Sequence, residues 1–302
     1  MSRNELAVGI DLGGTKIEGV LLDEDGVVQD RLRIATEREG GYEHILDRVC
    51  GLVGRLAGAT DAPIGIGTPG SVTRAGRMKN SNTTCLNGRP LPEDLAARLA
   101  RPVRIENDAN CFALAEALAG AGRGARFVFG AILGTGVGGG LVYRGELLCG
   151  PQHVAGEWGH HCLDPEGPAC YCGQRGCAET FLSGPALTAA YRRAGGEEVG
   201  SAEVAARARA GEAIAARVFA DYLRRFGRGV ANVIDILDPD VIVLGGGMSN
   251  LEELYTEGRA AVAACVFNEE LETAIIRNEL GDSAGVIGAA LLARQSLAGG
   301  ES

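Results

Sequence analysis

The 302-residue sequence lacks clusters of basic residues and long apolar runs. It contains 29 lysines and arginines against 39 aspartates and glutamates, which gives a formal net charge of −10. Nucleic-acid-binding surfaces need clustered positive charge, so this balance argues against a nucleic-acid partner. No apolar run approaches the roughly 20 residues of a membrane-spanning helix, so we expect no membrane association.

The sequence also lacks the pattern of a disulfide framework. Its nine cysteines are odd in number, and Cys50, Cys111 and Cys265 each stand alone in an apolar segment. A reducing compartment and one metal cluster fit this distribution better than paired cysteines. Only the polar segment Met1–Leu6 precedes the first predicted strand, so we expect no signal peptide and a cytoplasmic protein.

Glycine, in contrast, is abundant and is concentrated in short turns that follow apolar runs. The sequence has 47 glycines, well above the usual share of roughly 7%. A strand, a glycine turn and a second strand open the chain, and the same pattern returns about 120 residues later. This repeat indicates two related halves. Strands alternate with helical segments at Tyr42–Leu56, Ala213–Leu237 and Ser283–Ala298, which predicts an α/β fold with two domains around a cleft.

Three glycine turns, Asp11–Lys16, Gly134–Gly138 and Gly245–Gly247, each follow a predicted buried strand. Backbone N–H groups in such turns can converge on an anion, so the turns are candidate phosphate sites. One such turn would be weak evidence, but three are hard to explain as simple turns. Asp11 is poorly placed to contact phosphate directly, which implies an intervening Mg²⁺ ion. The spacing is neither that of a Walker A loop nor that of a dinucleotide fingerprint, so a nicotinamide enzyme is disfavoured.

Asp108 follows a predicted strand and begins a predicted helix, where α/β folds place ligands. One interpretation is a helix N-cap, because aspartate is a favoured capping residue. The other is a general base, since phosphoryl transfer to a hydroxyl needs a carboxylate to accept its proton. The two roles are compatible at a helix start.

A Cys-x-Cys-x4-Cys pattern lies ten residues after a histidine. This spacing predicts a closed tetrahedral zinc site with four ligands, His160, Cys170, Cys172 and Cys177, whereas the competing interpretation is a set of free thiols. His161 and His153 are alternative ligands. Such a closed site is structural and orders its loop, which also carries the carboxylates Glu157 and Glu179. Carboxylates that accept from paired hydroxyls are what a polyol site requires, although ordinary surface carboxylates are the competing interpretation.

These motifs together resemble the ROK family (repressors, open reading frames and sugar kinases) over essentially the whole chain. The resemblance is carried by Asp11–Lys16, Glu106–Asn110, Gly134–Gly140, Gly156–His160, Cys170–Glu179 and Asp238–Gly247. It implies an actin-like ATPase (ribonuclease H-like) fold of two domains, with ATP, Mg²⁺ and a sugar in the central cleft, and a homodimer. We place the domain boundary after residue 118, with residues 119–282 forming the second domain and 283–298 packing back on the first.

The resemblance also assigns residue roles. Asp108 would be the catalytic base, and the zinc ligands would be those given above, with the second nitrogen of His160 facing the sugar. The substrate-binding residues would be Gly70, Ser71, Asn82, Thr83, Asn107, Asp108, Glu157, His160 and Glu179. The ATP-binding residues would be Asp11, Gly13, Gly14, Thr15, Lys16, Gly134, Thr135, Gly136, Gly138, Gly245, Gly246 and Gly247.

Within the family, Lys79–Gly88 and Gly245–Leu251 look most like bacterial fructokinases, including those that also phosphorylate mannose. We therefore expect phosphoryl transfer from ATP to the 6-hydroxyl of fructose, with N-acetylglucosamine kinase or glucokinase as the alternative. A DNA-binding repressor would need a helix-turn-helix domain before the first glycine turn, and a zinc finger would need basic residues around the metal. A sugar sensor without activity is disfavoured because the base and the phosphate turns are both present.

Overall fold

A computed structural model describes residues 6–58 and 60–298, with side chains described up to Gln295. The expectation for the N-terminal segment therefore lies, apart from Leu6, outside the described residues. Within these ranges, no helix has both the length and the apolar character needed to cross a membrane.

Two five-stranded sheets have the same internal order. The first runs β3-β2-β1-β4-β7 and the second β10-β9-β8-β11-β12. The strands are β1 (Ala7–Leu12), β2 (Lys16–Leu22), β3 (Val28–Ala35), β4 (Ile64–Thr68), β7 (Val103–Asn107), β8 (Phe127–Leu133), β9 (Val137–Tyr143), β10 (Glu146–Leu147), β11 (Val241–Gly245) and β12 (Ala274–Arg277). A two-stranded sheet joins β5 (Ser71–Val72) to β6 (Met78–Lys79). Each large sheet contains one of the two predicted strand–turn–strand hairpins, which confirms the predicted internal repeat.

In both sheets the first hairpin strand is central and continues into parallel strands. Strand β1 pairs with β2 in antiparallel and with β4 in parallel orientation. Strand β8 is likewise the parallel neighbour of β11, which pairs with β12. The central strands are almost continuously buried, as expected where helices cover both faces of a parallel sheet.

The described helices match the apolar periodicity where it is strong. They are α1 (Gly41–Ala57), α2 (Leu91–Leu99), α3 (Asp108–Ala119), α4 (Glu179–Leu182), α5 (Gly184–Arg193), α6 (Ser201–Arg209), α7 (Ala213–Leu237), α8 (Glu257–Ala263) and α9 (Ala284–Ala298). The predicted bounds of α7 agree with the structure, and those of α1 and α9 differ by one residue at the ends. Helices α4, α5, α6 and α8 were not predicted.

Helix α9 packs directly on the first sheet. A side chain on Gly9 of β1 would approach the carbonyl oxygen of Val286 to 2.2 Å, and one on Gly65 of β4 would approach that of Ala289 to 1.9 Å. Neither approach is sterically allowed, so glycine is required at both positions. Glycines in these strands therefore serve helix packing rather than turning.

The chain separates into two compact units. One comprises the residues up to Arg123, 140–155 and those from Asp282 onward, and the other comprises 124–139 and 156–281. Helix α9 thus groups with the first unit. Residues 140–155 do so as well, although the sequence placed them in the second domain. The close contact of Gly140 with α3 accounts for this, since a side chain there would lie 2.8 Å from the Cβ of Ala113.

Candidate active site

The second glycine turn, Gly134–Gly138, joins β8 to β9 and opens onto a cavity. The third turn, Gly245–Gly247, ends β11 and borders the same space. The cavity has a volume of about 820 Å³ and is lined by Gly134, Thr135 and Gly247, which are three of the predicted ATP-binding residues. This volume is within the usual range of small-molecule sites. Two turns that lie more than 100 residues apart in sequence therefore meet at one cavity.

Close backbone contacts hold the two turns and α5 together. Gly246 has a φ of 79°, and a side chain there would lie 2.5 Å from the carbonyl oxygen of Leu133. The backbone N–H of Gly184 donates to the carbonyl oxygen of Gly134 at 2.8 Å. The start of α5 thus lies beside the second turn, and the side chain of Ser183 caps it by accepting from the N–H of Ala186.

Sequence reasoning missed several residues that line this cavity. They come from α5, the start of α6 and the residue after the third turn, and are Gly184, Pro185, Thr188, Ala189, Arg192, Ser201, Ala202 and Met248. The signal that could have identified them is Ser183-Gly184-Pro185, a capping residue followed by proline at the start of a helix. The remaining predicted residues Gly136, Gly138, Gly245 and Gly246 belong to the same turns but do not line the described cavity.

The first glycine turn lies between β1 and β2 in the other unit. The N–H of Gly13 donates to the carbonyl oxygen of Lys16 at 3.0 Å, and the Thr36 hydroxyl donates to that of Gly13 at 2.7 Å. A side chain on Gly14 would meet the Thr83 hydroxyl at 3.5 Å and the Arg38 guanidinium at 4.0 Å. A side chain at Gly14 would therefore make only ordinary contacts, one of them with a cation, and Arg38 is a residue that the sequence did not suggest.

Two carboxylates, those of Asp11 and Glu18, lie on the two strands that flank the first turn. Asp11 on β1 lies opposite Glu18 on β2. Burial raises the pKa of Asp11, and the neighbouring Glu18 raises it further, while Lys16 and Arg33 act in the opposite direction. Hard carboxylate oxygens next to a phosphate-type turn are suitable ligands for Mg²⁺, and a divalent cation would relieve the unfavourable charge. The residues present fit the predicted ion.

Asp108 is the first residue of α3, at the carboxyl end of β7. Asn107, not Asp108, is the N-cap: it has extended backbone angles, and its side-chain oxygen accepts from the N–H of Ala109 at 2.8 Å. The Asp108 carboxylate also accepts from this N–H at 2.8 Å. Because a neighbour supplies the cap, capping alone does not explain an aspartate at position 108.

The loop after β4 approaches the same end of β7. Gly70, with a φ of 84°, accepts a hydrogen bond from the side-chain amide of Asn107 at 3.2 Å. Ser71 is buried in β5 and pairs with Lys79 of β6. This hairpin leads to Asn82 and Thr83, and a side chain on Gly14 would lie 3.8 Å from the Asn82 amide oxygen. Within the first unit, the predicted sugar-binding loop thus lies next to the first glycine turn.

The predicted metal ligands form one cluster in the second unit. The ligand atoms of His160, Cys170, Cys172 and Cys177 all lie within 4.8 Å of one another. The Cys172 and Cys177 sulfurs are 3.5 Å apart, and the Cys170 sulfur is 3.6 Å from Nδ1 of His160. Ligands of a tetrahedral zinc ion, about 2.1–2.3 Å from the metal, are separated by about 3.4–3.8 Å. The four residues therefore fit zinc.

His161 and His153, the alternative ligands, do not belong to this cluster. Nδ1 of His161 faces the carbonyl oxygen of Trp158, and Nε2 lies 3.4 Å from the side-chain nitrogen of Asn232. Nε2 of His160 lies 3.0 Å from the Tyr171 hydroxyl, so an exposed tyrosine that the sequence did not suggest occupies the side we expected to face a sugar. The pKa of Tyr171 is raised to about 12 by partial desolvation of its hydroxyl and by the nearby Glu179, Cys170 and Glu157.

The segment 157–179, which carries the predicted zinc ligands and is called the zinc loop below, packs against the second glycine turn. Buried Trp158 donates from its indole nitrogen to the carbonyl oxygen of Gly138 at 2.7 Å. The carboxylate of Glu179, the first residue of α4, accepts from the N–H of Val137 at 2.9 Å. A side chain on Gly159 would lie 2.0 Å from the Val137 carbonyl oxygen. The loop that carries exposed Glu157 and the candidate phosphate turn therefore form one packed assembly.

The ROK family model matches residues 7–296. The chain belongs to the ROK family. Among curated relatives, it is 36% identical to the N-acetylgalactosamine kinase of Shewanella sp. (strain ANA-3), over 94% of this chain and 95% of the relative. It is 37% identical to the N-acetyl-D-glucosamine kinase of Photobacterium profundum, over 94% of this chain and 98% of the relative.

Solved structures of family members share the fold. A ROK hexokinase from Thermus thermophilus has a TM-score of 0.89 and 35% identity, over 98% of this chain and 100% of that one. A ROK glucokinase from Streptomyces griseus, solved with glucose and AMPPNP, has a TM-score of 0.77 and 31% identity, over 96% of this chain and 99% of that one. The predicted actin-like ATPase fold is confirmed. The named relatives do not support fructose as the substrate and favour the alternative that we gave, N-acetylglucosamine.

Proposed function

We propose that the protein is an ATP-dependent sugar kinase whose preferred acceptor is an N-acetylhexosamine, with N-acetylglucosamine first. The observation that carries this proposal is the packed assembly of the second unit. There the Gly134–Gly138 turn borders a cavity of about 820 Å³ and also donates to Glu179, a carboxylate suited to sugar hydroxyls. Phosphate-type backbone and a carboxylate suited to sugar hydroxyls thus belong to one packed assembly.

Asp108 acts as the general base. Its carboxylate removes the proton from the acceptor hydroxyl as that oxygen attacks the γ-phosphorus, and ADP leaves with the bridging oxygen. The N–H of Ala109 holds the carboxylate at the start of α3. Glu157 and Glu179 accept hydrogen bonds from the ring hydroxyls, whereas His160, with Nδ1 on the metal side, donates from its Nε2–H. The side chains of Asn82 and Thr83 extend the sugar site.

The glycine turns hold the nucleotide. The N–H groups of Gly14 and Thr135 bind phosphate oxygens, whereas those of Gly13 and Gly134 close their turns by donating to the carbonyl oxygens of Lys16 and Gly136. Asp11 would hold a Mg²⁺ ion, which would supply positive charge against the transferred phosphoryl group. The α5 residues Thr188 and Arg192, which line the cavity, contact the part of the nucleotide beyond the phosphates.

The choice of N-acetylhexosamine rests on the two curated relatives, which cover nearly all of the chain. Fructose, mannose and glucose remain competitors, because loop residues alter preference among sugars by only a few kcal/mol. ATP consumption should therefore be compared with N-acetylglucosamine, N-acetylgalactosamine, N-acetylmannosamine, glucose, mannose and fructose. A higher kcat/KM for fructose than for every N-acetylhexosamine would overturn the substrate assignment but leave sugar-kinase activity intact.

The mechanism is tested with Asp108→Asn. Loss of the base should lower kcat by about 10²-fold or more while sugar binding, measured by calorimetry, stays near the wild-type value. Asp61→Asn is the matched control, because Asp61 is an exposed aspartate of the same unit. Turnover of Asp108→Asn equal to that of the control would refute the base assignment.

We also propose that His160, Cys170, Cys172 and Cys177 hold a structural zinc ion. Cys172→Ser should lose one equivalent of zinc by elemental analysis, whereas Cys265→Ser, a variant of another exposed cysteine of the second unit, should lose none. Equal zinc content in the two variants would contradict the assignment. The homodimer is a separate proposal that rests on family resemblance alone, and light scattering tests it.

A further inference from the structure

A second group of potential metal ligands lies in the first unit, outside the zinc loop. Glu106, Cys149 and His153 have ligand atoms within 4.8 Å of one another. Glu106 is on β7, whereas Cys149 and His153 follow β10. No sequence pattern groups these residues, because more than 40 positions separate Glu106 from Cys149.

The distances match those between ligands of one metal ion. Oε1 of Glu106 lies 3.5 Å from the sulfur of Cys149 and 3.5 Å from Nδ1 of His153. Oxygen, sulfur and nitrogen ligands at the edges of a tetrahedral zinc site are about 3.4–3.6 Å apart, given the usual metal–ligand bond lengths. The contact of Glu106 with His153 is longer than an N–H···O hydrogen bond of about 2.7–3.2 Å, whereas the Cys149 thiol donates a hydrogen bond to Oε1 of Glu106 that a metal ion would replace.

The Glu106 carboxylate is oriented so that Oε1 faces Cys149 and His153. Glu106 is buried, with 8% of its surface exposed. Its other oxygen, Oε2, accepts from the side-chain amide of Asn110 at 2.7 Å and from the N–H of Asn107 at 3.3 Å. Hydrogen bonds of this kind fix the ligands of metal sites. Among the described residues, only His153 is within ion-pair distance of this carboxylate.

The turn that carries the other two ligands is held in place. The N–H of His153 donates to the carbonyl oxygen of Gly150, and that of Ala155 donates to the carbonyl oxygen of Cys149. The Lys79 ammonium donates to the carbonyl oxygen of Gln152 at 2.8 Å. His153 itself has a φ of 51°, a conformation in which histidine and asparagine are enriched. The turn therefore directs both side chains to the buried carboxylate.

We propose that Glu106, Cys149 and His153 form a second binding site for a divalent cation of the zinc class. One thiolate, one imidazole and one carboxylate are ligands that Zn²⁺ and Co²⁺ accept, whereas Mg²⁺ and Ca²⁺ prefer oxygen alone. Three protein ligands leave a fourth position for water. The ion at this site is therefore held less tightly than the one held by four ligands in the zinc loop, and it exchanges first.

Cobalt titration of the zinc-loaded protein, after brief chelation to strip exchangeable metal, tests the site. Wild-type protein should take up one equivalent of Co²⁺ and show the charge-transfer absorption of a cobalt–thiolate bond. Cys149→Ser should lose this band, and His153→Asn should weaken Co²⁺ binding by more than about tenfold. Cys265→Ser is the matched control and should behave as wild type.

His153→Asn keeps a residue that tolerates the positive φ, so it tests the site even if Cys149→Ser fails to fold. Cobalt that exchanges into the zinc loop would add a signal common to all four proteins, so the difference between them measures the new site. An equal band and equal affinity in His153→Asn and Cys265→Ser would overturn the proposal. So would a failure of the wild-type protein to bind exchangeable Co²⁺.

Discussion

The two glycine hairpins occupy equivalent positions in their sheets but have different surroundings. The first turn, Asp11–Lys16, lies among charged side chains. The charges of Glu18, Lys16 and Arg33 all shift the pKa of Asp11. The second turn is surrounded by packed backbone and by the zinc loop, through Trp158, Gly159 and Glu179. The repeat therefore supplies two similar glycine turns, of which the first lies beside charged side chains and the second is enclosed by packed backbone.

Glycine has a different purpose in each region. A side chain on Gly14 of the first turn would meet only ordinary contacts, with the nearest atom at 3.5 Å. A side chain on Gly159, beneath the second turn, would meet backbone at 2.0 Å. Packing thus requires glycine at position 159, whereas at position 14 only the close approach of a ligand would require it.

The largest effect is expected from Gly159→Ala. The added methyl group overlaps the Val137 carbonyl, which is backbone that cannot move without displacing β9, so the free energy of unfolding should fall by about 3 kcal/mol. Thermal and urea denaturation measure this change. A stability within about 0.5 kcal/mol of wild type would show that the second turn is less tightly packed than its geometry indicates.

Gly14→Ala should show the opposite behaviour. Its unfolding free energy should stay within about 0.5 kcal/mol of wild type, because the methyl group finds space. The KM for ATP should rise about tenfold, equivalent to about 1.4 kcal/mol, because the backbone can no longer approach phosphate. An unchanged KM for ATP would remove the first turn from the nucleotide site.

The smallest effect is expected from Asp11, whose contribution to the unfolding free energy should depend on pH. Burial and Glu18 raise the pKa of Asp11, so the folded protein binds this proton more tightly than the unfolded chain. Without metal, unfolding free energy should therefore fall as pH rises from the ordinary aspartate range, about 3.9, through the raised value. Asp11→Asn should remove this decline and be slightly more stable than wild type at neutral pH.

Added Mg²⁺ should offset the loss of unfolding free energy at higher pH in the wild type but not in Asp11→Asn. The ion binds the carboxylate form, so the Mg²⁺ concentration needed for half-maximal activity should rise as pH falls toward the raised pKa. Melting curves with and without Mg²⁺ across this pH range compare the two proteins. Equal stabilisation of wild type and Asp11→Asn by Mg²⁺ would contradict the role of Asp11 as its ligand.

The sequence by itself determined the features that depend on local pattern. The Cys-x-Cys-x4-Cys spacing with His160 predicted the group of potential metal ligands that the fold brings together, because closely spaced ligands need little tertiary information. The apolar periodicity of α7 and the repeated hairpins were also readable, since helix period and glycine turns are local properties. The family motifs indicated the fold for the same reason.

Tertiary structure decided the features that depend on contacts between distant segments. Residues 140–155 group with the first unit because Gly140 lies against α3, and no local pattern records that contact. Arg38 beside Gly14, Tyr171 beside His160 and the α5 residues of the cavity were likewise missed. The Glu106–Cys149–His153 group exists only because a strand end and a turn meet in the fold. The sequence thus supplies the chemistry of single segments, and packing decides which segments share a site.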